Sequence, residues 1–360
     1  MKIANKMKIY SAKTRELRTE LLRRLPDLVP PLVVTQARVA QDRGLPAALV
    51  AEVRTPSGHR RTLRVSVRAA AAPSRLPHAL QELRVSRGGS SGSYPVLASA
   101  FLSPRSRELC REAGVGYLDL AGNCHLRFAD LYLERSVDRN PFPRRGRPAS
   151  LFSPVSSRLL RALLEEPARR WRISELSAAA RVSLGQTSNV CRRLADEAYA
   201  ATTARRVHLA QPGRLLDAWR DAGTGSASTP AGYYSFERDP DRLIRRIAEV
   251  AAARRWRYAV TSFAAAARVA PFVQGVGTVR WYMGEEAAPA QWAEAMDLRP
   301  VESGPNAVLL TPGDPGVFYR ARDVDGASLV GDIQLYLDLC GEPARGREQA
   351  DFLRRERIGF

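Results

Sequence analysis

The densest run of chemically capable side chains is GVGYLDLAGNCHLRF, residues 114–128, where Asp119, Asn123, Cys124 and His125 fall within seven positions. A Cys–His pair acts as nucleophile and base only when both side chains converge. Along a strand, successive side chains alternate faces. Tyr117, Asp119 and Ala121 then point one way and Leu118 and Leu120 the other, with AGN breaking the strand in a turn. Asp119 suits an acceptor for turn amides, and Asn123 suits a left-handed position. Cys124 and His125 are left on opposite sides of the next strand. The run reads as strand–turn–strand, with no catalytic residue.

Composition narrows the classes that remain. At 360 residues the chain can hold two or three domains, and no apolar run is long enough to span a bilayer. The basic N-terminus MKIANKMKIYSAKTREL lacks an apolar core like that of a secretory signal, so the expected location is cytoplasmic. Cysteines 110, 124, 191 and 340 form no C-x-x-C pair, and histidines 59, 78, 125 and 208 are dispersed, so neither a metal nor a cofactor is expected. The net charge of +19 and a pI near 10.6 favour a polyanion partner. Every lysine precedes residue 14 and all later basic residues are arginine, so part of the excess reflects GC-rich coding. Nucleic acid is favoured over membrane, because no basic amphipathic helix carries aromatic anchors.

Two composition breaks, RNPFPRRGRPAS (139–150) and DAGTGSASTPAG (221–232), read as linkers. They divide the chain into domains near 1–138, 151–222 and 233–360. The middle segment carries the sharpest pattern. Leu159, Leu160, Leu163 and Leu164 form one helical stripe. Ile173, Leu176 and Ala180 make a short second helix with Ser174 as its N-cap and Glu175 in its first turn. RVS makes a tight turn, and Ser183 caps a third helix. On that helix Thr187, Val190, Cys191 and Leu194 recur at i, i+3, i+4 and i+7 and face inward. Gly185, Gln186, Ser188, Asn189, Arg192 and Arg193 occupy the other side, and these types meet base edges and phosphates when a helix lies in the major groove. A two-stranded wing follows in AYAATTARRVHLA, with Arg205, Arg206 and His208 near it. Over about sixty residues the pattern resembles the winged helix-turn-helix domains of bacterial regulators.

The first segment reads as helical over TRELRTELLRRL and TQARVAQDRG. Strands follow at AALVAEVR (47–54), TLRVSVRA (62–69) and YPVLASAFL (94–102), then the capped helix SPRSRELCREAG ending at Gly114, then a strand. This order resembles the restriction-endonuclease-like α/β fold. That resemblance implies an acid on the second core strand and acid-x-lysine on the third, holding Mg²⁺. TLRVSVRA and YPVLASAFL have neither, and Glu52 stands alone. A nuclease would have to rely on Glu52 and Asp119, with His125 in the lysine's place.

The last segment alternates helix and strand, an α/β or α+β domain. VTSFAAAA is similar to the Gly–Ser entry of nucleotidyltransferase-like domains, but no carboxylate pair follows closely, and Asp323 and Asp325 with Gly326 read as a hairpin tip. The winged pattern followed by SFAAAARVAP, LLTPGDPGVFY and QLYLDLCGEPARGREQADFLR resembles the AbiEi-type antitoxin family, in a long form with the extra N-terminal domain. The resemblance implies an autorepressing regulator that opposes a toxin protein.

The chain is thus expected to be a multidomain α/β and α+β protein without enzymatic activity. Its function is sequence-specific binding of double-stranded DNA to regulate transcription. Flanking domains would supply homodimerisation, a surface for a toxin or other partner, or added DNA affinity. An adaptor whose winged helix binds protein is the third alternative.

Overall fold

The computed structural model describes residues 2–40, 48–69, 71–85, 93–128, 131–137, 141–142, 150–203, 206–223, 228–275, 277–343 and 345–360. The fold is mixed α/β with three sheets. It divides into two compact units, Met1–Arg145 with Asp196–Ala198, and Gly146–Ala195 with Tyr199–Phe360.

In the first unit the order is α1 (Lys2–Leu28), β1 (Val33–Ala40), β2 (Ala48–Arg54), β3 (Arg60–Val67), α2 (Leu76–Val85), β4 (Ser93–Ser99), α3 (Pro104–Glu112), β5 (Gly116–Asp119), β6 (Cys124–Phe128) and β7 (Leu131–Arg135). The seven strands form one sheet in chain order, parallel from β3 to β5 and antiparallel elsewhere. Leu17, Leu21, Leu25 and Leu28 of α1 bury one face, against Leu49, Leu63, Val65 and Val96. Leucines of α2 and residues around α3 cover part of the other, at Ala48, Leu97 and Tyr117. Central β4 is buried on both faces and so shows no alternation.

Two expectations fail here. TQARVAQDRG is not helical in its described part: residues 33–40 are the edge strand β1, paired with β2, while 41–47 lie outside the described residues. Val33, Val34, Thr35 and Val39 are β-branched and suit a pleated edge better than a helix. The helix α2 also enters between the expected second and third strands. It supplies the crossover that lets β3 and β4 pair in parallel.

The second unit runs α4 (Pro154–Glu165), β8 (Trp171–Arg172), α5 (Ile173–Ala180), α6 (Leu184–Asp196), β9 (Ala200–Thr203), β10 (Arg206–Leu209) and α7 (Pro212–Asp221). It continues with β11 (Ser228–Tyr234), α8 (Pro240–Arg254), β12 (Tyr258–Thr261), α9 (Ser262–Val269), β13 (Val279–Met283), α10 (Pro289–Met296), β14 (Arg299–Pro300), β15 (Ala307–Pro312), β16 (Arg322–Val324), β17 (Ala327–Leu329), α11 (Asp332–Cys340) and α12 (Gly346–Leu353). Strands β8-β10-β9 make a small antiparallel sheet, and β14-β11-β15-β13-β12-β17-β16 a large mixed one.

The stretch 221–232 does not separate two domains. Its described end is strand β11, hydrogen-bonded to β15, and residues 224–227 lie outside the described set. The α4 leucines share one continuous hydrophobic core with Trp281, Leu309, Ile333 and Leu335. The stretch 139–150 lies mostly outside the described residues, and the division between units falls within it.

One face of α4 binds the large sheet through polar groups. Arg161 is buried, donating from Nε to Gln334 Oε1 at 2.9 Å and from a terminal nitrogen to Ser157 Oγ at 2.8 Å. Its guanidinium also lies 5.0 Å from the Trp219 ring centroid. Gln334 Nε2 donates to Asp338 Oδ1 at 2.7 Å, which also accepts from Tyr282 at 2.9 Å. Thr261 Oγ1 donates to Asp338 Oδ2 at 2.5 Å. Arg158 pairs with Asp314 at 2.8 Å. At the end of α4, Glu165 Oε1 accepts the Ile333 amide at 3.1 Å, and Gly331 leaves room for it: a Cβ there would stand 2.6 Å from that oxygen.

Burial pushes the Glu165 pKa up to about 7 from an ordinary 4.5; the Ile333 amide and Arg322 and Arg320 pull down, and Asp332 pushes up. The folded chain keeps this proton where the unfolded chain has released it. The associated stability is therefore full below about pH 4.5 and lost as pH rises through about 7, at most about 3 kcal/mol. All five tryptophans lie in the second unit, so their fluorescence reports it selectively. Urea midpoints read by tryptophan emission should fall between pH 5 and 8, and Glu165→Gln should flatten that fall.

Candidate nucleic-acid interface

The Asp119 cluster holds three pieces of chain together. Asp119 is buried and accepts the amides of Leu102 at 2.8 Å and Asn123 at 3.0 Å, and Asn123 Nδ2 at 2.7 Å. Asn123 Oδ1 in turn accepts from Arg107 and from the Val137 amide, each at 2.7 Å. The Asp119 pKa is raised, because burial outweighs these donors. Gly122 takes the positive φ of the turn, at 105°, and not Asn123 as expected.

Cys124 packs among the α1-side residues, while His125 stacks on Tyr117 of the other face with ring centroids 5.6 Å apart. The two side chains diverge. Burial pushes the Cys124 thiol up to about 12 and the His125 pKa down. Among the described residues no three His, Cys, Asp or Glu side chains gather to hold a metal.

Asp323 and Ser262 of the last segment are likewise engaged. Asp323 Oδ1 accepts the Gly326 amide at 3.1 Å, and Asp325 and Gly326 take φ of 50° and 78° in a two-residue hairpin between β16 and β17. Ser262 opens α9 with φ 60°, and its Oγ donates to Glu342 at 2.7 Å.

Helix α6 differs in what its polar groups touch. Ser183 caps it, accepting the Gln186 amide at 3.4 Å, and the preceding turn holds Arg181 at φ 52° with Val182 buried. Helix α5 starts at Ile173 with Arg172 as N-cap, so Ser174 is inside the first turn; the Glu175 carboxylate accepts the Arg172 amide at 3.1 Å and does the capping. Thr187, Val190, Cys191 and Leu194 are the buried side of α6. Gly185 and Arg192 are exposed, and Gln186, Ser188, Asn189 and Arg193 are half-buried around them. Arg192 donates to Asn189 Oδ1 at 3.2 Å, which holds both outward.

The sites expected on the hairpin lie on a different element. In β10, Val207 and Leu209 are buried, and the half-buried Arg206 and His208 alternate with them opposite Thr203 and Ala201. His208 Nδ1 is itself buried, with no hydrogen-bond partner among the described residues. Arg206 also faces Arg172 of β8 and donates to the Arg170 carbonyl at 3.0 Å. Arg205 lies outside the described residues. Three exposed neighbours escape the sequence reading: Leu184, 58% exposed, and Arg170 and Arg172. Leu184 sits on the buried stripe by spacing, but one turn beyond the core's edge, so periodicity misplaces it. The two arginines acquire significance only through the pairing of β8 with β10.

Burial raises the pKa of all four thiols, most strongly the three that are fully buried. Burial pushes Cys110, Cys124 and Cys191 each to about 12. From an ordinary value of 9 that lowers the thiolate fraction roughly a thousandfold. Titration of the folded protein with a thiol-specific disulfide reagent at pH 8 should leave these three unreacted for hours and release all four thiols on denaturation. Fast modification of Cys124 would restore it as a nucleophile candidate.

No family model, curated protein or solved structure matches this chain. Its function is read from these side chains and their surroundings.

Proposed function

We propose that the chain is a transcriptional regulator binding double-stranded DNA in a sequence-specific manner. On this reading residues 151–222 carry a winged helix-turn-helix motif within the second unit, α6 lies in the major groove and the β9–β10 hairpin is the wing. The supporting observation is the outward side of α6. Gln186, Ser188, Asn189 and Arg192 are the types that pair with base edges. The side-chain bond among them is internal to the helix, between Arg192 and Asn189. Leu184, beside them, suits a thymine methyl.

Gly185 adds to this. It weakens a helix, and here neither a positive φ nor close packing requires it: a Cβ would meet nothing within 4 Å. Open space for the approach of a DNA backbone gives the glycine a purpose. Arg206, with Arg172 beside it, supplies charge for phosphates, and Arg193 sits at the far end of the same helix side. Regulation of its own operon as an antitoxin, against a toxin partner, rests on the family resemblance alone.

The nuclease reading has less support. Glu52 and Asp119 lie on β2 and β5, three strand spacings or roughly 14 Å apart, too far to share an Mg²⁺ held at about 2 Å. The three hydrogen bonds to Asp119 already occupy it.

Sequencing genomic fragments retained at about 150 mM salt with Mg²⁺ should enrich a discrete site with intact ends. Arg192→Ala should cost about 1–3 kcal/mol on that site and little on random DNA. Arg206→Ala should weaken both equally and lower the salt slope by about one. Gly185→Ala should keep or raise thermal stability while lowering affinity. Fresh cleavage of the fragments, or equal losses for Arg192→Ala on both DNAs, would overturn the reading.

A further inference from the structure

The charge surplus is not spread over the chain. Residues 1–145 hold 26 Lys and Arg against 12 Asp and Glu, whereas residues 146–360 hold 30 against 25. Arginine is abundant in both parts, so a coding bias toward arginine does not produce the difference. The first part is poorer in acids and also carries all four lysines.

Those acids are also unevenly placed. Glu108 and Glu112 pair with Arg105, Glu82 with Arg68, and Glu134 with Arg111, all around α2, α3 and β7. The sheet's β1–β3 end is different. Leu49, Ala51 and Val53 of β2 point to the α1 side, so Glu52 and Arg54 take the other face. By register Arg38 of β1 and Arg60 and Arg64 of β3 share that face. Among the described residues the helices α2 and α3 cover it from Ala48 toward Tyr117. Arg38, Arg54 and Arg60 are exposed, and among the described residues no carboxylate pairs with them. Arg54 stands directly opposite Arg60. Like charges so placed repel, and a bound anion relieves the repulsion.

We infer that this open face of the first unit is a second, sequence-independent contact with duplex DNA, its guanidiniums seated on backbone phosphates. The inference rests on the regulator reading and gives the N-terminal unit a task within it. The face is an extended pleated surface with strands about 4.8 Å apart, so it spreads charge over several phosphates instead of enclosing one small anion. No aromatic residue occurs in β1, β2 or β3, which favours nucleic acid over a lipid surface.

The test compares full-length protein with its Arg38→Gln/Arg54→Gln/Arg60→Gln variant on random-sequence duplex and on the enriched site across a salt series. Each lost phosphate contact lowers the log–log salt slope by about 0.9, so the triple variant should lose roughly two to three from the slope. Affinity should fall at least tenfold on both DNAs, with their ratio unchanged. Glu52→Gln, which removes a carboxylate from the patch, should strengthen random-duplex binding and serves if the triple variant fails to fold. A triple variant that still binds the discrete site with an unchanged slope overturns this inference and leaves the regulator reading standing. Loss of binding to phosphatidylserine vesicles without loss on duplex overturns it in favour of a membrane. Failure of the unaltered protein to bind any duplex overturns both.

Discussion

A guanidinium without access to water decides how α6 and its neighbours are held. Arg161 is buried on α4, and burial lowers its pKa to about 10, which leaves it charged at neutral pH. A buried cation is tolerated only with good partners, and removing one partner of such a set typically costs about 3–5 kcal/mol. Gln334 meets the requirement by turning one end to Arg161 and the other to Asp338. Helix α4 is thereby held to α11 and, through Tyr282 and Thr261, to the large sheet. Its leucines meanwhile belong to the same core as Leu176 of α5 and Val190 of α6. One helix thus fixes both sides. The small helical segment is a fixed part of the second unit.

This coupling could not be read from the sequence. SSRLLRALLEEP shows a leucine stripe with polar residues behind it, and Arg161 looks like one of the solvated ones. Its partner Gln334 is 173 positions away. Local patterns were legible where one face is buried and one is wet, as on α6, or where a turn or strand alternation decides, as at the β16–β17 tip and in the divergence of Cys124 from His125. On α4 the leucines were legible but the burial of the polar side was not. Edge and backbone-paired strands were not. In β1 the half-buried positions Val34, Ala37 and Ala40 recur every third residue, nearer a helical spacing than a strand's alternation, and its identity comes from its hydrogen bonds to β2. Strand β11 hides in a Gly/Ser/Thr/Ala run because its ladder to β15 is made by main chain. The cap of α5 shifted for a related reason: Glu175 reaches back to Arg172, so Ser174 was free to enter the helix.

Two clusters in this chain look equally chemical on paper, and what separates them is whether their hydrogen-bonding capacity is already used. Asp119 and Asn123 satisfy amides from the β4–α3 connection, their own turn and the segment after β7. An apolar replacement at Asp119 would strand two buried amide donors, each at about 1–3 kcal/mol. The cluster's chemistry is therefore its structural role, and neither oxygen is available for a reacting atom without unfolding the turn. On α6 the accounting runs the other way. The buried side of the helix carries the packing, and Arg192 and Asn189 contribute an i,i+3 bond on the surface, worth a few tenths of a kcal/mol. Exchanging that bond for a base edge costs almost nothing, whereas no exchange is open to Asp119. By the same measure Arg54 and Arg60, set against each other across β2 and β3, cost the fold something through their repulsion. Groups with that balance are where an outside partner would gain most, and α6 and the open face of the first sheet both hold such groups.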